Sequence, residues 1–77
     1  MKNHIRDART AKGLTQQQLA NRVYVSSRTI IALEKGEYNP SLLLAYRISL
    51  ALEMPMEELY CLAENKSKED TRYENLS

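Results

Sequence analysis

The stretch TQQQLANRVYVSSRTIIALEKG, residues 15–36, decides the fold because it contains the signals of two short helices. Thr15 is followed three residues later by Gln18, which is the spacing of a capping box. In such a box the threonine hydroxyl accepts a hydrogen bond from the backbone N–H of the glutamine. The glutamine side chain in turn accepts one from the backbone N–H of the threonine. We therefore expect the first of these helices to begin at Gln16. Its apolar stripe, at helical spacing, consists of Leu19, Ala20 and Val23.

The second half of the stretch has the pattern of another capped helix. Ser26 is a suitable N-cap, and Gly36 can take the left-handed conformation that ends a helix. Ile30 and Leu33 continue the apolar face between them. The linker of residues 24–25 is too short for antiparallel helices, so the two should cross steeply, as in a helix-turn-helix motif.

A steep crossing leaves the outer face of this second helix at the surface. Three of its residues lie about 100° or more from the apolar stripe, and a fourth lies at the margin. The three are Ser27, Arg28 and Ile31, and the fourth is Thr29. An exposed helix of this width fits the major groove of DNA, where arginine binds guanine and an aliphatic side chain packs on a thymine methyl. A phosphate contact is the alternative role for Arg28.

Three segments of the chain carry a resemblance to a known family. They are LTQQQLANRV at 14–23, VSSRTIIALEKG at 25–36 and NPSLLLAYRISLAL at 39–52. Together they are similar to the Cro and phage-repressor-type helix-turn-helix family, also called the xenobiotic-response-element-like (XRE) family, over residues 2–61. Its members are five-helix, usually dimeric DNA-binding domains whose third helix reads bases. The resemblance implies an all-α, five-helix bundle of the lambda-repressor-like type, with the helix-turn-helix at helices 2 and 3. It also implies that the protein is a transcriptional regulator, with a repressor favoured over an activator.

The turn of the motif departs from the family pattern at Tyr24. The family usually has glycine here, which suits a left-handed conformation that costs other residues roughly 1 kcal/mol or more. Either Tyr24 accepts this strain or the turn has a different geometry.

The resemblance also implies a structural ion pair between Arg9 of the first helix and Glu34 of the third. Two unrelated surface charges are the alternative. At the start of the second helix, Gln16 offers an amide and free backbone N–H groups to a DNA phosphate, a contact that the family also makes there. Further phosphate contacts are expected from residues that flank the third helix, namely Ser26, Lys35, Tyr38 and Asn39.

Charge is unevenly distributed along the chain. Residues 1–36 contain seven Lys or Arg against two Asp or Glu, a net charge of +5. Residues 37–77 contain four against eight, a net charge of −4. The basic half holds the helix-turn-helix, as phosphate binding requires. We therefore expect double-stranded DNA as the partner. Sequence-tolerant RNA binding is disfavoured, because no aromatic stacking platform is present.

The composition excludes several other classes of protein. A chain of 77 residues holds one domain and no separate sensor domain, so no small-molecule ligand is expected. Cys61 and His4 are the single cysteine and the single histidine, which disfavours a metal site or a Cys–His catalytic pair. No glycine-rich phosphate loop is present, so neither an enzyme nor a cofactor is expected. Without a signal peptide or an apolar span, the expected location is the cytoplasm and not a membrane.

The remaining helices are predicted over residues 2–11, after Asn39-Pro40 with Ser41 as cap or first-turn residue, and over Met56 to Cys61. The fourth helix has two apolar stripes. The first closes the core and consists of Leu44, Ala45, Ile48 and Leu52. The second consists of Leu43, Tyr46 and Leu50. The fifth helix should cover part of the second stripe, and the rest is either a homodimer surface or part of the intramolecular core.

After residue 62 the chain becomes polar, so we expect a domain at 1–62 and a polar tail at 63–77. This tail buries too little apolar surface to fold alone, and is either flexible or ordered by a partner. The acidic half and the tail also suit a second functional class. In that class the same fold is a protein-interaction module, such as an antitoxin or an adaptor.

Overall fold

Six α-helices make up the chain in the computed structural model, which describes residues 2–76. They are α1 (Ile5–Ala11), α2 (Gln16–Arg22), α3 (Ser27–Glu34), α4 (Leu42–Leu52), α5 (Met56–Leu59) and α6 (Leu62–Leu76). The all-helical fold class is confirmed over these residues, and the expected count of five helices is wrong by one. Met1 and Ser77, at the ends of the predicted domain and tail, lie outside the described residues.

Side-chain hydroxyls set the starts of three helices. The capping box is confirmed, since the Gln18 N–H donates to Thr15 Oγ1 at 3.0 Å and the Thr15 N–H to Gln18 Oε1 at 2.8 Å. Ser26 Oγ accepts from the Thr29 N–H at 3.4 Å at the start of α3. Ser41 caps α4 in the same way. The predicted starts of α2 and α3 are therefore confirmed, because each cap satisfies an otherwise unpaired N–H of the first turn.

The first helix begins at Ile5 and not at Lys2 as predicted. Lys2 and His4 use their backbone groups to bind the C-terminal part of the chain. The His4 N–H donates to the Leu59 carbonyl at 2.7 Å. The Asn65 side chain accepts from the Lys2 N–H at 3.3 Å and donates to the Lys2 carbonyl at 2.9 Å. These contacts between distant residues replace the first turn of the predicted helix.

Residues 63–76 of the predicted polar tail are helical, whereas a flexible or partner-ordered segment was expected. The fifth helix ends at Leu59, before the predicted Cys61. Cys61 has φ 49°, a left-handed conformation that redirects the chain. From Leu62 the chain forms α6, fifteen residues long and stabilised by ion pairs one turn apart, Lys66 with Asp70 and Glu64 with Lys68.

The core lies between α1, α2, α3, α4 and α5. Its largest fully buried side chains are Tyr60, Ile5, Leu19, Ile30, Leu33, Ile48, Leu59 and Val23. The predicted core stripe of α4 is buried as well. Tyr60 donates its hydroxyl to the Ala45 carbonyl at 3.0 Å, and burial raises the pKa of this phenol above its ordinary value. The core leaves the outer faces of α3, α4 and α6 at the surface.

Candidate nucleic-acid interface

The turn between α2 and α3 contains a tyrosine in a left-handed conformation. Tyr24 has φ 63°, so of the two expected alternatives it accepts the strain. The next residue is hydrogen-bonded to α2, because the Val25 N–H donates to the Ala20 carbonyl at 3.1 Å. With Ala20 buried and Val25 half-buried, the turn is closed by packing as well as by this hydrogen bond.

Arg9 and Glu34 form a buried ion pair that ties α3 to α1. Arg9 Nε lies 2.6 Å from Glu34 Oε2, and Arg9 Nη2 lies 3.3 Å from Glu34 Oε1. The two side chains are only 11% and 5% exposed, respectively. Gln16 Nε2 donates to the same carboxylate at 3.1 Å, and Arg9 Nη1 donates to the Leu14 carbonyl at 2.7 Å. We call Arg9, Gln16 and Glu34 the Glu34 clamp, since it fixes the last turn of α3 against α1 and α2.

The four side chains predicted to read bases lie in the first turns of α3. Arg28 is exposed, while Ser27, Thr29 and Ile31 are half-buried. The Thr29 hydroxyl lies 3.3 Å from the hydroxyl of the capping residue Ser26, which explains its marginal position. The structure thus brings the four side chains together at one end of α3, with Arg28 the most accessible.

The predicted phosphate contacts lie at both ends of this face. Ser26 is exposed before α3, and Lys35, Tyr38 and Asn39 are exposed after it. Gln16 is half-buried, and its amide already donates to Glu34. The side chain of Gln16 therefore has a structural role that the sequence pattern did not predict.

A shallow cleft beside α3 brings in a residue that the sequence analysis missed. Arg6 of α1 is exposed and lines this cleft with Gln16, Ile31 and Lys35. The sequence pattern could have indicated Arg6, because this residue lies one helical turn before Arg9 and shares its face of α1. Since Arg9 is used by Glu34, Arg6 and Lys35 remain as the accessible cations of the cleft.

The second stripe of α4 lies at the surface. Leu43 is 58% exposed, Tyr46 is 51% exposed and Leu50 is 59% exposed. The fifth helix covers little of this stripe, because Met56 meets only its beginning, where it lines a shallow apolar groove with Leu42, Leu43 and Tyr46. These side chains are therefore not part of the intramolecular core. We call Leu42, Leu43, Tyr46 and Leu50 the α4 face.

Over residues 2–76, no group of three or more His, Cys, Asp or Glu side chains is placed to hold a metal ion. Within the same range, no helix has the length and apolar character needed to cross a membrane. The predicted base-reading side chains lie in the first turns of α3, and the predicted dimer surface lies on the α4 face.

Comparison with known proteins agrees with this geometry. A family model described as helix-turn-helix matches residues 5–59. An uncharacterised HTH-type transcriptional regulator of Methanothermobacter thermautotrophicus is 51% identical over 69 residues, covering 88% of this chain and all of that protein. YgzD, an uncharacterised HTH-type transcriptional regulator of Bacillus subtilis, is 44% identical over 64 residues, covering 83% of this chain and 97% of that protein.

Two solved structures share the arrangement of helices. The restriction-modification controller protein C.AhdI from Aeromonas hydrophila has a TM-score of 0.68 at 33% identity, covering 74% of this chain and 86% of that one. The clp gene regulator ClgR from Corynebacterium glutamicum has a TM-score of 0.70 at 26% identity, covering 94% of this chain and 77% of that one. With 94% of this chain covered, the second similarity extends into α6.

Proposed function

This chain belongs to the XRE-type helix-turn-helix family of transcriptional regulators, and on that premise we propose that it is a homodimeric transcriptional repressor that binds double-stranded DNA sequence-specifically. The observation that supports the proposal best is the accessible outer side of the first turns of α3, where Arg28 is exposed, on a helix held in place at both ends. Ser26 caps its start, and the Glu34 clamp fixes its last turn. A helix held in this way presents side chains to a groove with little loss of conformational freedom on binding.

Base reading is assigned to the first turns of α3. Arg28 is long, exposed and suited to bind O6 and N7 of guanine. Ser27 is placed to bind a neighbouring base, with Thr29 at the margin. Ile31, which is half-buried, would pack its exposed part on a thymine methyl. The favoured half-site is therefore short and contains G close to T.

Phosphate contacts would set the position of α3 in the groove. Lys35, Tyr38 and Asn39 are exposed after the helix, and Ser26 is exposed before it. Gln16 would act mainly through the backbone N–H groups at the start of α2, since its side chain holds Glu34. The net charge of +5 on residues 1–36 supports this arrangement, because cations attract the duplex before specific contacts form.

A dimer is proposed because one copy offers few base contacts and has an exposed α4 face. Two copies related by a two-fold axis would bury this face and place two α3 helices in successive major grooves, about 34–36 Å apart. The binding site would then be a palindrome. Repression follows if this palindrome overlaps a promoter, since occupancy alone blocks transcription.

Replacement of Arg28 by alanine should weaken binding to the preferred site by roughly 1 to 3 kcal/mol and relax the preference at one base pair. The reason is loss of the two guanidinium hydrogen bonds to guanine. Titration of labelled duplexes that carry each base at that position measures both effects. Arg72→Ala, which removes an exposed arginine from α6, is the matched control. An equal loss of binding free energy on every duplex would mean that Arg28 contacts a phosphate and not a base.

Selection of bound duplexes from a random pool tests the function as a whole. We expect a palindromic motif, and we expect the logarithm of the binding constant to fall steeply and linearly with the logarithm of salt concentration. A duplex of the same length and base composition with the selected motif scrambled is the control for nonspecific binding. No enriched motif, together with salt-insensitive association with a protein, would instead support an interaction module such as an antitoxin or an adaptor.

A further inference from the structure

The shallow cleft beside α3 adjoins the residues proposed to read bases. Ile31 lines the cleft from α3, and Lys35 lines it from the end of the same helix, one turn further on. Arg6 lines it from α1, and Gln16 from the start of α2. The cleft therefore continues the base-reading side of α3 sideways onto the first helix.

The side chains of this cleft carry an excess of positive charge. Three cations and one anion line it, and the ion pair of the Glu34 clamp neutralises two of the four. The other two, Arg6 and Lys35, are exposed, and among residues 2–76 neither has an ion-pair partner. Asp7, the acid next to Arg6 in the sequence, does not line the cleft. Two like charges around one space, without a counter-charge, favour the binding of an anion.

Another cleft of the described chain, along α6, has no such excess. Its two lysines, Lys66 and Lys68, are matched by two glutamates of the same lining. Both lysines also form ion pairs along α6. An anion would gain little there, so the uncompensated charge is a particular property of the cleft at Arg6.

The position of the cleft indicates which anion reaches it. A helix with its side chains is about 10–12 Å wide, close to the width of about 12 Å of the major groove. An element that lies beside the inserted helix therefore meets the sugar–phosphate strand at the edge of the groove. The first helix is such an element, because the Glu34 clamp fixes it against the last turn of α3. When α3 reads bases, a phosphate of the bordering strand is the anion at hand.

We propose that the cleft between α1 and α3 binds one DNA phosphate, and that Arg6 is a DNA-contacting residue that acts together with Lys35. The proposal rests on the DNA binding of the proposed function. Arg6 supplies a planar fork of N–H donors and Lys35 a compact charge, and a phosphate accepts both forms of contact. Because Ile31 lines the same cleft, this phosphate belongs to a nucleotide close to the base that Ile31 contacts. The first helix thereby helps to fix the position of α3 along the groove.

The first test replaces Arg6 by glutamine, which removes the charge and keeps a good helix former. Arg6→Gln should weaken binding about tenfold on the selected and on the scrambled duplex alike. It should also reduce the slope of the logarithm of the binding constant against that of salt concentration by about 0.9. Arg6→Lys keeps the charge and should retain the slope. Arg72→Gln removes an exposed arginine from α6 and is the matched control, with both quantities unchanged.

A second experiment locates the phosphate. Duplexes with a single uncharged methylphosphonate at successive positions of the half-site are titrated with the natural chain and with Arg6→Gln. We expect one position at which the natural chain loses affinity and Arg6→Gln loses none further. This position should lie within about two nucleotides of the base pair whose preference changes in Ile31→Ala. A position elsewhere in the site would overturn the assignment of the phosphate to this cleft.

Stability and control titrations separate the remaining outcomes. The thermal midpoint of Arg6→Gln should equal that of the natural chain, and a lower midpoint would overturn the proposal by showing that Arg6 supports the fold. Natural affinity and salt slope in Arg6→Gln would also overturn it, while leaving DNA binding by α3 intact. Saturable binding of inorganic phosphate at Arg6, with DNA binding unaffected by Arg6→Gln, would assign the cleft to a free anion instead. A natural chain that binds no duplex would contradict the proposed function and this inference with it.

Discussion

Replacing Arg9 by alanine should reduce the free energy of unfolding by about 3 to 5 kcal/mol. The Glu34 side chain is only 5% exposed in the natural protein, and without Arg9 its carboxylate would keep the neutral amide of Gln16 as its side-chain partner. A buried charge without a counter-charge is costly, since it has lost both water and its partner. Urea denaturation followed by circular dichroism measures the loss.

Two control variants show whether the unpaired carboxylate of Glu34 causes the loss of stability. Arg9→Met combined with Glu34→Leu removes both charges and should recover most of the stability, as apolar replacements of buried pairs often do. Lys12→Ala removes one partner of an exposed pair, in which Lys12 Nζ lies 2.8 Å from Glu53 Oε2, and should change stability little. A loss for Arg9→Ala no larger than for Lys12→Ala would contradict the assignment.

Leu43→Glu combined with Leu50→Glu should convert the proposed dimer into a folded monomer. Both side chains are more than half exposed in one copy, so the substitutions leave the core intact. In the dimer, four carboxylates would meet at the interface with only the two Arg47 side chains to pair with them, which strongly opposes association. Binding to a full palindrome should weaken roughly a hundredfold or more, because the second half-site then binds independently of the first. Sedimentation equilibrium and titration with labelled DNA measure the two effects.

A control of equal charge places the new carboxylates elsewhere. Ala63→Glu combined with Ser67→Glu adds two negative charges to the exposed surface of α6 and should leave the mass in solution unchanged. Binding to an isolated half-site should be similar for both double variants. An unchanged mass for the α4 variant would mean that the α4 face is not the dimer surface.

Local signals in the sequence were sufficient to predict most of the helix starts. Thr15 with Gln18, Ser26 and Ser41 each satisfy backbone N–H groups of the helix that follows, so their effect depends only on close neighbours. The alternation of buried and exposed positions on α4 was likewise predictable from helical period alone. Within the candidate site, the same reasoning located Arg28 at the surface.

Contacts between residues far apart in the sequence account for the differences between the predicted and the observed structure. The first helix starts late because Lys2 and His4 bind groups of Asn65 and Leu59, and no local pattern reports that pairing. The α6 helix follows a left-handed Cys61, a conformation that the residue type does not favour. The stacking of Arg47 on Tyr24 and the bond from Gln16 to Glu34 also depend on tertiary arrangement.

The residues that hold α3 in place differ from those proposed to read bases, and this separation affects how the DNA specificity of such domains can evolve. Ile30 and Leu33 hold the inner side of α3 in the core, and its polar supports lie at its ends, where Ser26 caps the first turn, the Glu34 clamp holds the last, and Asn3 donates to the Leu33 carbonyl at 2.8 Å. Arg28 and the accessible parts of Ser27 and Ile31 contribute little to that support. Duplicated genes can therefore exchange these positions and acquire new operators while the scaffold keeps its stability. The same separation makes them the natural positions to randomise when a regulator of this kind is retargeted.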